Sequence, residues 1–472
     1  MKWSLPAACG VLWMSLAAGF ASGAPGPVPP DADRALAREI LKELVEINTT
    51  HAHGSTSAAE AIARRLKAGG FADTDLTVIA PADKPAKGSV VVRVHGRSKA
   101  KPVLFLGHLD VVEAKPEDWS VDPFKLTEKD GWFYGRGTID MKDGDAALVE
   151  SLLRLRREGF VPDRDLVFAF TADEEAGGDA NGPAFLLKSH RELIDAGLVV
   201  NFDGSSGVSK GGERAYFELG TSEKTYVTYT IETTSAGGHG SLPGPDNAIY
   251  RLAAGLLRLQ DYHFPVMMTA TTRASFEQRA TLEGGKDAAD MLAVARQPTD
   301  LAAAERLSQN VLMNAQLRTT CVATLMSGGH AENALPQRAS ATIQCRMMPG
   351  DTADNVQAIL RQVLADPRIS LRMDAPPIVS PESPPTPQVT ALVTSVVHSM
   401  WPGVPILPAM ATGFSDDRQT RNAGMPSYDV SGIFQDVDEN RAHGRDERVG
   451  VREFDESVEF AYRFIRAVSA AK

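Results

Sequence analysis

Cysteine is nearly missing from this chain: there are three in 472 residues, Cys9, Cys321 and Cys345. None belongs to a Cys-x-x-Cys pair, which excludes a dithiol redox centre and a thiolate zinc site. A basic surplus is missing as well. The formal net charge is −11, and a surface that neutralises phosphates must be basic, so nucleic acid is excluded as a partner. There is no internal repeat and no long low-complexity stretch. The pair Gly135-x-Gly137 has no third glycine at the spacing of a dinucleotide loop, which sets that reading aside.

What is present points to a globular enzyme. Apolar residues make up 43% of the chain and aromatics 7%, and 472 residues exceed one ordinary core, so two compact units are expected. Residues 1–23 read as a secretory signal: Lys2, an apolar stretch from Leu5 to Phe20, then small residues before Ala24. The apolar stretch is also long enough for a retained anchor, but cleavage and export are the expectation, with no stable membrane contact afterwards.

Leu36, Ile40, Leu41, Leu44 and Ile47 recur at helical spacing and open the fold proper, after the Pro-rich leader at 25–30. Short β-branched segments at 89–94, 103–107, 166–171 and 198–202 alternate with helices at 57–68, 145–157 and 183–187. That alternation predicts an α/β sheet of mostly parallel strands. From about Thr225 the pattern changes to strands in runs (226–234, 319–326, 339–347) beside a helix at 247–260 and a polar, Ala-rich stretch to about 315. An α+β unit inserted into the first domain is expected. The segment APPIVSPESPPTP, 375–387, is the return linker, and an amphipathic helix carrying Phe454, Val458, Ala461 and Ile465 ends the chain.

Three predicted strands run into residues that can hold a metal: His108 and Asp110, then Asp173, Glu174 and Glu175, then Asp203. A single acid at a strand end is usually a helix cap or a solvated charge. Three such clusters in one open sheet converge outside the carboxyl ends of its strands, and imidazole with carboxylates suits a borderline divalent ion. Asp140, in the glycine-flanked segment 135–144, is a carboxylate able to bridge two ions. His443 lies between a predicted strand and the last helix.

The segments GHLDVV, GRGTIDMKDG, TADEEAGG, NFDGS and NRAHGRDE resemble, in order and approximate spacing, the five metal-site motifs of the aminoacylase and carboxypeptidase family of two-zinc hydrolases. Succinyl-diaminopimelate desuccinylases and carboxypeptidase S also belong to that family. The resemblance runs from Asp33 nearly to the C-terminus. It implies a catalytic domain made of residues 33–222 and 376–472, with residues 223–375 as an inserted lid of the kind that forms dimers. It also implies two divalent ions, most simply zinc: His108, Asp140 and Asp203 on one, Asp140, Glu175 and His443 on the other. Asp110 would fix the tautomer of His108, and Glu174 would be the general base. His239, in SAGGHGSLP, would stabilise the oxyanion, often from a neighbouring subunit. Asn333 and Arg346 would receive the substrate's carboxylate, a task that suits the planar fork of arginine. The plainer readings of these last three are an exposed loop histidine, a turn asparagine and a surface arginine. Segment 415–418, Ser-Asp-Asp-Arg, resembles a further family segment near the substrate pocket.

The implied activity is hydrolysis of an amide bond beside a free carboxylate, in small peptides or N-acyl amino acids. A non-catalytic binding protein on the same fold would be expected to have lost the base or a ligand, and all are in place. An aminopeptidase would need a seat for a free amine, against which Arg346 speaks. Cys321 and Cys345 are expected to be two reduced thiols packed as small apolar residues. The alternative is a disulfide: the two are equidistant from Asn333, so a hairpin around that loop would set them opposite each other.

Overall fold

The computed structural model describes residues 25–470 apart from Gly177, Asp179 and Ser205, so the expected signal segment lies outside the described residues. A ten-stranded mixed sheet organises the first unit. Its core strands Val103–His108 and Leu166–Thr171 are buried along their whole length, as parallel strands covered on both faces must be. They pair in parallel with each other, and Val103–His108 pairs in parallel with Leu198–Asn201 on its other side. Ser427–Asp429 extends the parallel run beyond Leu198–Asn201, whereas Ser89–Val94 and Leu76–Ile79 close the other edge antiparallel. Phe105 and Phe168 stack at 4.7 Å between ring centroids, which fixes the two central strands side by side.

Helices Asp31–Glu46, Lys142–Arg157 and Val451–Ala470 pack on the sheet. The last buries Phe454, Val458, Ala461 and Ile465, the stripe its periodicity predicts. Among the described residues no helix is long and apolar enough to cross a membrane.

The chain leaves this sheet at the end of Glu213–Glu223 and rejoins it at Ile406–Ala411, which pairs in parallel with Glu213–Glu223. Between them lies a four-stranded antiparallel sheet in the order Thr320–Gly328, Arg338–Met347, Thr225–Thr234, Ile369–Met373. Helices Ala248–Gln260 and Ala353–Leu364 contribute to the core on its buried face. The polar, Ala-rich stretch holds four helices, Ala270–Glu283, Gly285–Arg296, Leu301–Leu307 and Val311–Leu317, with a small core of their own around Phe276, Met291 and Leu307. Alanine is the commonest residue of that core, and its weak hydrophobic contrast hides the helical period in the sequence.

The cysteines correct an expectation. Cys321 and Cys345 are opposed in the register of adjacent strands and are joined as a disulfide, with Cα atoms 4.1 Å apart. A register shift between Ala323 and Leu325 distorts the ladder just beside the bond.

Candidate metal centre

Register brings the chemistry together. His108 pairs with Thr171, so those two strands end level, and Leu106 pairs with Asn201, so the third ends two residues earlier on the same edge. Their following residues, His108 to Asp110, Asp173 to Glu175 and Asp203, emerge at one edge of the sheet. The Asp140 carboxylate lies between two imidazoles. Its Oδ1 is 3.0 Å from Nε2 of His108 and its Oδ2 is 3.0 Å from Nε2 of His443. Asp203 Oδ1 stands 3.8 Å from His108 Nε2, and Glu175 lies 3.0 Å from His443 Nε2. Ligand atoms of His108, Asp140 and Glu175 all fall within 4.8 Å of one another.

The donor set fits divalent ions: two imidazole nitrogens and three carboxylates, with Asp140 offering one oxygen to each side. His108, Asp140 and Asp203 could hold one ion, and Asp140, Glu175 and His443 a second. Electrostatics agree. Hydrogen bonds to Asp140 and Glu175 push His443 up to about 10. Burial pulls His108 down, but Asp140 and Asp203 outweigh it and leave the ring well above its ordinary value. A field that holds protons on both imidazoles is a field that favours a divalent cation.

Glu174 differs from its neighbours. It is buried, its Oε1 has no hydrogen-bond partner among the described residues, and burial raises its carboxyl well above the usual range. Asp110 is placed otherwise than expected. His108 Nδ1 is 3.0 Å from the backbone oxygen of Asp110 and 3.9 Å from its carboxylate. That carboxylate instead accepts the backbone N–H groups of Glu174 (3.0 Å) and Glu175 (3.1 Å). The turn that carries these two acids exposes unpaired donors inside the protein, and Asp110 is the acceptor within reach.

Residues not singled out in the sequence complete the frame. Buried Arg136 forms an ion pair with buried Glu447 and donates to the backbone oxygens of His443 (3.3 Å) and Gly444 (3.0 Å). Glu447 also accepts from the Ile139 N–H at 3.1 Å. One arginine and one glutamate thus brace the segments bearing Asp140 and His443 against each other. Both sit inside the quoted motifs, as the Arg of GRG and the final Glu of RDE, which is the signal that could have found them. Asp173 adopts φ +61° and is held by Lys87 Nζ at 2.5 Å, with His51 at 3.2 Å. Asp416 accepts from Thr171 (3.0 Å) and Asn181 (2.6 Å), and burial pushes it up to about 6.

The remaining three predicted residues separate. Arg346 lies over the rings of Tyr226 and Phe414, close enough for the charge of Glu174 to act on it. His239 and Asn333 are together elsewhere: His239 pairs with Ala334, and Gly240 N–H donates to the Asn333 oxygen at 2.8 Å. Both are exposed. Tyr226 pairs with Arg346 and Thr234 with Arg338, so eight residues of strand, roughly 26 Å, separate Arg346 from that end of the sheet.

A mixed sheet with two histidines and several acids converging at its strand ends defines a metal-dependent hydrolase. Residues 104–467 match the profile of peptidase family M20/M25/M40. The chain belongs to that family, whose solved members include a dinuclear metal-binding peptidase, and it is a metal-dependent hydrolase of amide bonds. It is 29% identical over 376 residues to an N-fatty-acyl-amino acid synthase/hydrolase of Xenopus tropicalis, covering 77% of this chain and 72% of that protein. It is 28% identical over 383 residues to a probable carboxypeptidase S-like protein of Dictyostelium discoideum, covering 78% and 71%. The fold is similar to that of an M20 metallo-carboxypeptidase from Sulfolobus solfataricus, with TM-score 0.69 and 16% identity over 92% of this chain and 99% of that one.

Proposed function

We propose that this protein hydrolyses N-acyl amino acids or small peptides at the amide bond next to a free carboxylate. The observation that carries the reading is Glu174, a buried carboxyl whose Oε1 has no partner among the described residues, beside a convergent ligand set and within the field of Arg346, which pairs with no acid among those residues. His108, Asp140 and Asp203 would hold one ion and Asp140, Glu175 and His443 the other, zinc being the simplest occupant for such donors. Bound ions supply Lewis acidity toward the amide carbonyl and toward water.

Glu174 takes the proton of the attacking water and returns it to the leaving nitrogen. Its burial raises the carboxyl above its ordinary range, which makes it a stronger acceptor for that proton. Asp110 orients the base by fixing the N–H groups of its turn. Arg346 receives the free carboxylate, and residues 223–375 act as the lid that carries it.

His239 and Asn333 lie in and beside the small two-stranded pairing of Gly238–His239 with Ala334–Leu335, beyond the far end of the strands that carry Arg346, too far to join it in their own chain. They complete the site of a second copy in a homodimer formed through the lid, whose outer strand Thr320–Gly328 exposes Val322, Leu325 and Met326. The enzyme works after export, once residues 1–23 are removed, without nucleic acid or stable membrane contact. Comparing metal-loaded protein on N-acyl amino acids and dipeptides with their C-terminal amides tests the reading. Hydrolysis of the free acids in strong preference to the amides is expected, and equal rates would contradict it.

A further inference from the structure

Segment 413–418 ends in an arginine to which no role has been given. Arg418 belongs to the first unit, is 8% exposed, and keeps its Nε buried without a hydrogen-bond partner. Its guanidinium lies 4.2 Å from the centroid of the Phe414 ring. Arg346, from the inserted unit, lies 5.3 Å from the same centroid and has a buried, unpartnered Nη1. Neither arginine forms an ion pair with an acid among the described residues. Two like charges from two units of the chain therefore share one aromatic ring. A ring face returns less than an ion pair does, so a guanidinium left this way is short of its counter-charge.

The segment leading into the helix Asp417–Asn422, which carries Arg418, is pinned. Ser415 donates to Glu223 through its N–H (2.6 Å) and its hydroxyl (3.2 Å), and Asp416 is tied to Thr171 and Asn181. The arginine is presented rather than free to swing toward solvent. Burial and the neighbouring Arg418 both work against the charge on Arg346 and hold it below the ordinary arginine value. An anion seated between the two would relieve both effects, and a carboxylate has lone pairs enough for two forks.

We infer that Arg418 is a second grip on the substrate's free carboxylate, so that the acid end of the substrate bridges the two units through Arg418 on one and Arg346 on the other. The inference rests on the proposed hydrolase activity and adds to it a specificity-determining residue in the first unit. It also makes approach of the inserted unit depend on the substrate's charge: without the carboxylate the two guanidiniums repel.

The test compares metal-loaded wild type, Arg418→Gln, Arg346→Gln and the double variant on one N-acyl amino acid and its C-terminal amide. The quantity read is the ratio of kcat/KM for acid over amide. Each single glutamine is expected to lower that ratio by about tenfold or more, the loss of a charged hydrogen bond. The double variant is expected to fall short of the product of the two, because both forks hold one carboxylate. Arg418→Lys, which keeps the charge but loses the fork, covers a glutamine variant that does not fold, and an intermediate ratio is expected from it. A ratio unchanged from wild type in Arg418→Gln or Arg418→Lys, while Arg346→Gln lowers it, overturns the inference and leaves the hydrolase reading standing. A wild type that shows no preference for the acid overturns both.

Discussion

Asp110 supports two backbone N–H groups rather than an imidazole, and the consequence falls on Glu174 and Glu175 together. Asp110→Ala removes both acceptors and frees the turn that aims the base in one direction and a ligand in the other. We expect kcat to drop by about 10- to 100-fold, the usual cost of losing support behind a metal site. Asp110→Asn, with one oxygen still able to accept, should fall between. Steady-state kinetics check this, and a kcat equal to wild type would place the turn's support elsewhere. At this scale the sequence was informative about which residues converge: the strands leading to His108, to Asp173 through Glu175 and to Asp203 all end at one edge of the sheet. It was silent on which atom of Asp110 meets His108, because a backbone carbonyl and a side-chain carboxylate of one residue leave the same letter in the sequence. The brace of Arg136 and Glu447 escaped for a related reason, since a buried ion pair between residues 311 positions apart has no local pattern.

Secondary-structure elements were legible where β-branched and aromatic residues run together in a buried strand. Ser89–Val94 and Leu166–Thr171 fall on the segments their β-branched and aromatic residues mark. The four helices between Ala270 and Leu317 were not, since alanine is the commonest residue of their core. The hairpin of Thr320–Gly328 and Arg338–Met347 was legible in outline, and symmetry about Asn333 placed Cys321 opposite Cys345. The bond itself depended on a register that composition does not set. Replacing both cysteines by serine should reduce stability in denaturant by about 2–4 kcal/mol, the range for a cross-link closing a loop of this order. Because Cys345 precedes Arg346, KM for free-acid substrates should rise while metal content stays at the wild-type level. Two free thiols titrated in denatured, unreduced wild type, or metal lost in step with the bond, would contradict this account.

The whole molecule is two units joined at a short, tightly held crossing. Lys224, which directly follows the last strand of the first unit before the excursion, is buried and donates to the backbone oxygens of Ala315 (2.9 Å) and Arg318 (2.8 Å). Thr221 meets Thr271 at 2.9 Å, and Arg279 lies over the Tyr216 ring. The four-helix segment therefore rests on the first unit, and Arg346 and Tyr226 of the four-stranded sheet meet it at Phe414. If His239 serves a partner's site, mixing two inactive variants restores activity. Glu174→Ala and His239→Ala, refolded together, should recover on the order of a quarter of the wild-type rate, since random pairing gives half the dimers one intact site of two. No recovery in a mixture shown to exchange subunits would return His239 to a loop role. The central claim, that Glu174 moves protons and does not hold metal, is tested most directly by measuring bound metal and turnover on the same sample of Glu174→Ala. The account predicts two ions per chain, as in wild type, with nearly all turnover gone; loss of metal in step with turnover would contradict it and make Glu174 a ligand.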